Sequence, residues 1–153
     1  MRSVVIFFAT GFGSGFSPIA PGTAGSIVGA LVVWLVFGPL WRRSVTLALL
    51  VFAIVFIASC RIAGEAERIF NEHDSPKIVI DEVLGMAATM FLNPLGWQYM
   101  AAGFLIFRLF DIIKPPPARW IDREVGGGAG VMLDDLAAAV YANLALQLIA
   151  RLI

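Results

Sequence analysis

Long apolar runs, broken at few places, set the layout of this chain. Five such segments fall at about 24–41, 45–63, 79–92, 97–113 and 131–152. They are separated by Arg42-Arg43, a polar stretch over 64–78, the turn Asn93-Pro94-Leu95-Gly96 and a Pro/Gly-rich stretch over 114–130. Apolar runs punctuated in this way read as helices joined by turns. The tight breaks at 42–44 and 93–96 make the flanking helices antiparallel neighbours. Most segments are shorter than the ~20 residues of a perpendicular crossing, so the helices are tilted little or begin in a polar vestibule. The pattern predicts an all-α, compact polytopic membrane bundle of about five helical segments, a single domain over 1–153, preceded by a Gly/Pro-rich N-terminal loop.

Composition supports the membrane reading. Hydrophobic residues make up 59% of the chain and mean hydropathy is +0.87, above the roughly 45–50% apolar usage of soluble domains. Formal net charge is zero, and no Lys/Arg run with interleaved aromatics occurs, so nucleic acid is not an expected partner. The single Cys60 has no intrachain partner and reads as a small packing residue. The lone His73, within Asn71-Glu72-His73-Asp74-Ser75-Pro76, reads as a solvated loop residue. Met1 and Arg2 lead into a short apolar run broken by Gly11, Gly13 and Gly15, so no cleavable signal is expected.

Charge changes the picture more. All eleven acids lie between Glu65 and Asp135, and Asp81, Glu82, Asp111, Asp122, Asp134 and Asp135 stand at or inside apolar stretches. An ionised carboxylate inside a membrane costs roughly 2.5 to 3.5 kcal/mol even on lenient scales, so each needs a partner, a proton or a metal. Threading five segments through a bilayer brings residues 10–23, 64–82 and 108–135 to one face. That face collects every acid and seven cations, Arg61, Arg68, Lys77, Arg108, Lys114, Arg119 and Arg123, against Arg42, Arg43 and Arg151 on the other. The asymmetry predicts that the acidic face is cytoplasmic.

The adjacent pairs Asp81-Glu82 and Asp134-Asp135 open the third and fifth segments. Neighbouring helical residues diverge by about 100°, so both members of a pair face one cavity only near a helix start. N-capping explains one member of each pair and leaves the other. Two all-oxygen pairs on one face predict a divalent cation site for Mg²⁺, Mn²⁺ or Ca²⁺. Arg108, Asp111 and Lys114, spaced by three, lie along one broad side of the fourth helix until Pro115-Pro116-Pro117 end it. With Arg119, Arg108 and Lys114 form a candidate phosphate clamp; an ion-pair ladder is the plainer alternative.

The stretch from Gly11 to Ser26 is rich in glycine, proline and hydroxyls and runs into an apolar helix, with Thr23 a candidate N-cap and Ser26 three residues on. Small residues and the positive end of a helix suit an anion such as phosphate. A structural loop with a capping threonine is the alternative. The Gly126-Gly127-Gly128-Ala129-Gly130 stretch is expected to be a hinge or a place of close backbone approach before Asp134.

These strings together, Gly11 to Gly15 with Ser17-Pro18-Ile19-Ala20-Pro21-Gly22-Thr23-Ala24-Gly25-Ser26, Asp81-Glu82-x-x-Gly85-Met86, Phe107-Arg108-x-x-Asp111-x-x-Lys114-Pro115-x-Pro117-x-Arg119-x-x-Asp122, and Met132-Leu133-Asp134-Asp135, resemble phosphatidylglycerophosphatase A of bacterial membranes over about residues 11–142. The resemblance implies a Mg²⁺-dependent inner-membrane phosphatase. It would convert phosphatidylglycerophosphate to phosphatidylglycerol and inorganic phosphate at a cytoplasm-facing site, in contact with membrane lipid.

On that basis Glu82, Asp111, Asp134 and Asp135 are expected to hold Mg²⁺, with Asp81 in support. Arg108, Lys114, Arg119, Thr23 and Ser26 would bind phosphate. Asp81 or Asp122 would take the proton of the attacking water, and Asp111 would be the nucleophile of a phospho-enzyme route. Two other readings compete. A small ion or proton transporter predicts carboxylates near the bilayer midplane on several helices. A CDP-alcohol phosphotransferase predicts acidic pairs one helical turn apart, where here they are adjacent.

Overall fold

The structure, a computed structural model, describes residues 2–152; Met1 and Ile153, the ends of the expected domain, lie outside the described residues. It is all-helical, with no strand among the described residues. Three helical stretches, Pro21–Arg43, Val45–Phe70 and Gly127–Leu152, are long and apolar enough to cross a bilayer, as expected of a membrane protein.

The first crossing is compound. It consists of α2 (Pro21–Val32), a π-helical turn (Val33–Phe37) and α3 (Gly38–Arg43). Pro39 is the local cause: it donates no N–H and its ring crowds the preceding turn. The register slips there, and the Gly38 N–H bonds to the Val33 carbonyl. An earlier helix, α1 (Arg2–Ala9), packs along α4, and its Phe7 and Phe8 meet Phe12 edge to face.

α4 (Val45–Phe70) starts where the Ser44 hydroxyl accepts from the Leu47 N–H, and stops at Asn71 in the left-handed conformation. It runs seven residues beyond the apolar segment expected to end at 63. The polar stretch there is solvated helix surface, with Arg68 and Glu65 paired at 2.8 Å one turn apart. Charge does not break a helix, so the hydrophobic boundary and the helix boundary differ.

α5 (Ile80–Met90) is the hub, buried along almost its whole length among α2, α4, α6 (Trp97–Ile113) and α8 (Gly127–Leu152). Only 11 residues long, it can be short because both of its ends lie in protein and not in lipid. At its far end the Asn143 amide donates to the carbonyls of Ala88, Thr89 and Phe91, at 3.2, 2.9 and 2.8 Å. These are carbonyls that no further helical turn would satisfy.

The stretch 114–130, expected to be a loop, is mostly helical. It contains α7 (Ala118–Glu124), and Gly127 to Gly130 form the first turn of α8. Packing overrides glycine's poor helix propensity here: a Cβ on Gly128 would overlap the Cys60 carbonyl of α4. Only glycine lets the two backbones come that close. Asp134 and Asp135 consequently sit about two turns inside α8 rather than at its start. The same device joins α2 to α5, where a Cβ on Gly29 would stand 2.7 Å from the Met86 Cβ.

Candidate active site

Three helix ends, one loop and an inner turn of α8 converge on a polar cavity of about 350 Å³ at one end of the bundle. The start of α2 contributes Gly22 and Thr23, the loop before α5 contributes Asp74 and Ser75, and α5 itself contributes Asp81 and Glu82. The end of α6 supplies Arg108, Asp111 and Lys114, and α8 supplies Asp134 and Asp135. Residues far apart in the chain meet because α5 and α8 pack closely and present their acids at the same level.

Asp81, Glu82 and Asp135 each offer a carboxylate oxygen within 4.8 Å of the others. Asp81 and Asp135 are 9% and 4% exposed, yet Asp81 Oδ1, Glu82 Oε2 and Asp135 Oδ2 have no hydrogen-bond partner among the described residues. Buried carboxylate oxygens left without partners cost free energy, and three in one place fit a hard divalent cation with oxygen ligands. The approach of backbone at Gly22 belongs to the same construction: a Cβ there would overlap Glu82 Oε1 and lie 3.0 Å from both terminal nitrogens of Arg108. With neither Cys nor His lining the cavity, the donor set is poor for zinc.

The other two acids carry the cations. Arg108 Nη1 stands 2.6 Å from Asp111 Oδ2 and 3.6 Å from Glu82 Oε1. Lys114 Nζ donates to Asp122 Oδ1 and to Asp134 Oδ2, both at 2.6 Å. Lys114 caps α6 in the left-handed conformation, which turns its side chain back over the bundle end. Burial works against the charge on Lys114, but its hydrogen bonds to Asp122 and Asp134 prevail and hold the ammonium above its ordinary range. The result is a cavity lined by carboxylates with oxygens unpartnered among the described residues, with Arg108 and Lys114 beside them.

Of the residues singled out from the sequence, Thr23, Asp81, Glu82, Arg108, Asp111, Lys114, Asp134 and Asp135 all line this cavity. Ser26 does not: it is fully buried and its hydroxyl donates to the Gly22 carbonyl 2.9 Å away. Its position one turn into α2 places it on the side that packs inward. Arg119 also stays outside, exposed on α7 and donating to the Ile113 carbonyl at 2.9 Å. Asp122 does not line the cavity and meets the site through its hydrogen bond from Lys114. Thr23 is not an N-cap, because α2 begins at Pro21 and Ala20 holds the cap position. The glycines from Gly11 to Gly15 form a turn that does not line the cavity.

Two lining residues with side chains able to do chemistry were missed. Asp74 and Ser75 sit in a stretch that looks like solvated loop, but the loop is anchored. Glu67 Oε1 accepts from the Asp74 N–H at 2.9 Å and lies 2.6 Å from His73 Nδ1, while the Ser75 hydroxyl donates to Glu72 at 2.6 Å. The one available signal was proximity to Asp81-Glu82 in the chain.

Comparison with known proteins identifies relatives of this chain. The profile of the family described as phosphatidylglycerophosphatase A matches residues 7–150. Phosphatidylglycerophosphatase A of Escherichia coli is 41% identical over 133 residues, covering 86% of this chain and 75% of the relative. That of Haemophilus influenzae is 38% identical over 135 residues, covering 88% and 81%. A candidate phosphatidylinositol-3-phosphatase of Bacteroides thetaiotaomicron is 36% identical over 146 residues, covering 89% and 87%. No solved structure matches this chain significantly. A profile match along almost the whole chain and two relatives of this identity and coverage place the chain in the phosphatidylglycerophosphatase A family of phosphatases.

Proposed function

We propose that this protein hydrolyses the phosphomonoester of phosphatidylglycerophosphate, releasing phosphatidylglycerol and inorganic phosphate, with Mg²⁺ held by Asp81, Glu82 and Asp135. The observation that carries the reading is that Asp81, Glu82 and Asp135 offer carboxylate oxygens within 4.8 Å of one another, each residue also having a buried oxygen with no hydrogen-bond partner among the described residues, set beside Arg108 and Lys114. Bound there, Mg²⁺ would supply polarisation of the phosphoryl oxygens and a more acidic water. Asp111 and Asp134, proposed from the sequence as further ligands, take a different role: they orient Arg108 and Lys114.

The chain's own groups then account for the rest. Arg108 and Lys114 bind the phosphate and offset the charge that builds on its oxygens in the transition state. One oxygen of Asp81 accepts the proton of the attacking water; Asp122 is a poorer choice because Lys114 engages it at the rim. The bond from water oxygen to phosphorus forms as the bond from phosphorus to the glycerol oxygen breaks; the leaving oxygen takes up a proton from solvent, and Asp81 returns the proton it accepted to solvent. Placement at the helix ends lets the phosphate enter while the acyl chains stay in lipid. The excess of cations on this face supports an inner-membrane protein whose site faces the cytoplasm. Clustering of the acids at one end of the bundle favours this reading over ion transport, which needs them near the midplane.

The test is phosphate release by the purified protein from phosphatidylglycerophosphate, and from phosphatidylinositol 3-phosphate in parallel, with Mg²⁺ or with chelator. Turnover of the first lipid that stops on chelation, and drops at least 1000-fold in Glu82→Gln and Asp135→Asn, is expected. Hydrolysis that survives chelation overturns the metal role; turnover of the inositol lipid alone overturns the substrate.

A further inference from the structure

The acidic cavity and an apolar groove are both lined by residues of α2 and α6. Elsewhere in the bundle glycines let the helices close on one another: Gly25 meets Val79 just before α5, Gly29 meets α5 at Val83 and Met86, Gly85 lies under the Phe107 ring, and a Cβ on Gly103 would stand 3.1 Å from Leu146. α2 and α6 touch only sparsely. Between them runs an apolar groove of about 410 Å³ lined by Ile27, Leu31, Trp34, Trp97 and Met100. These side chains continue the faces that carry the site. Steps of four lead from Thr23 to Ile27 and Leu31 on one helix, and from Arg108 to Phe104 and Met100 on the other.

The length of the seam is informative. Eleven residues separate Thr23 from Trp34, and eleven separate Trp97 from Arg108, so at about 1.5 Å per residue the groove reaches roughly 16 Å from the acids. One leaflet of a hydrocarbon core about 30 Å thick is roughly 15 Å deep. A second apolar cavity, of about 380 Å³ and lined by Val36, Ile54 and Val83 among others, lies between α2 and α4. The Gly25 and Gly29 contacts separate it from the acids.

We infer that the α2–α6 seam seats an acyl chain of the lipid whose phosphate occupies the acidic cavity, so that the substrate enters sideways from one leaflet. The inference rests on the lipid-phosphatase reading above. It separates lipid substrates from the same headgroup without chains, since only the former gain the seam.

Leu31→Trp and Met100→Trp fill the groove without touching the acids, while Ile54→Trp fills the cavity on the other side as a control. For the diacyl lipid, KM is expected to rise at least tenfold in the first two variants. kcat/KM for the deacylated, water-soluble headgroup should stay within twofold, which also shows that the variants fold. Ile54→Trp is expected to change neither. Equal loss on both substrates, or no loss on the lipid, overturns the inference. A second measurement needs no turnover: phosphatidylglycerophosphate carrying a mid-chain diazirine is expected to label residues 27–34 and 97–104, competed by the unlabelled phosphomonoester and not by phosphatidylglycerol. Labelling that phosphatidylglycerol competes equally marks bulk lipid and overturns it. If the wild type turns over phosphatidylinositol 3-phosphate instead, the substrate reading falls, and the same variants on that lipid decide the groove.

Discussion

Lys114 Nζ lies 2.6 Å from Asp134 Oδ2, a hydrogen bond that ties the end of α6 to α8 across 20 residues of chain. Asp134 is nearly buried, its side chain 8% exposed against 27% for Lys114. Lys114→Met therefore strands a carboxylate. The expected loss is about 2 kcal/mol, below the roughly 3 to 5 kcal/mol of a fully buried pair because water still reaches the ammonium. Chemical denaturation in detergent measures it, and Lys114→Met/Asp134→Asn should recover part of the loss. Because the ammonium is held above its ordinary value of 10.5, its contribution is complete below that value and disappears as pH rises through the folded value. Stability conferred by this pair should thus be constant between about pH 6 and 9.

Three acids packed together repel one another when no cation is bound. Asp135→Asn should therefore raise the thermal midpoint of the metal-free protein by about 2 to 4 °C, the shift roughly 1 kcal/mol produces in a chain of this size. Mg²⁺ at 100 times its dissociation constant should stabilise the wild type by about 2.7 kcal/mol and the variant by much less. A metal-free midpoint lowered by Asp135→Asn would show that the trio is held together by bonds within the protein.

Much of this site was legible in the sequence, because a carboxylate inside an apolar run is costly and so marks itself. Asp81, Glu82, Asp111, Asp134 and Asp135 stood out on that ground alone, and alternation of the crossings placed them on one face. Direction within a helix was less legible. Ser26 and Thr23 are three residues apart, yet one faces the core and the other the cavity, and only the packing of α2 on α5 decides which. Helix ends were the weakest part, since hydropathy locates lipid while hydrogen bonding and glycine contacts locate helix. That difference hid the last turns of α4 and the first turn of α8. Asp74 escaped because its surroundings in the chain are polar, and its importance comes from a fold that returns the loop to the cavity.

Gly22 brings the α2 backbone against Glu82 and Arg108, and a methyl group added there would overlap Glu82 Oε1. Gly22→Ala should displace both side chains by a fraction of an ångström and lower kcat at least tenfold, since misplacement by about 1 Å can cost 100-fold. Far-ultraviolet circular dichroism and the thermal midpoint should change little, as the new methyl meets the movable ends of two long side chains.

The helix crossing at Gly128 offers no such freedom, because the added Cβ would strike the Cys60 carbonyl and the Gly64 backbone. Gly128→Ala is expected to cost about 1 to 3 kcal/mol, the range for overpacking a tight contact. Gly126→Ala, with nothing within 4 Å of the added Cβ, should be within about 0.5 kcal/mol of wild type. Denaturation of the two variants side by side measures the difference.

Asp74 and Asp122 are both exposed or half-exposed acids, and their side chains differ in one respect: Asp74 lines the cavity, whereas Asp122 lies outside it and meets the site through Lys114. Asp74→Asn should therefore lower kcat/KM for the phosphomonoester at least tenfold, with the fold intact because its backbone N–H keeps its bond to Glu67. Asp122→Asn leaves Lys114 its bond to Asp134, so activity should remain within about threefold, roughly 0.7 kcal/mol of transition-state stabilisation. Arg119→Ala, which removes a guanidinium that among the described residues bonds to the Ile113 carbonyl alone, should fall in the same narrow range. Steady-state kinetics on the three variants settles the order; a larger loss in Arg119→Ala than in Asp74→Asn would return the phosphate clamp to α7 and place the substrate on the opposite side of Lys114.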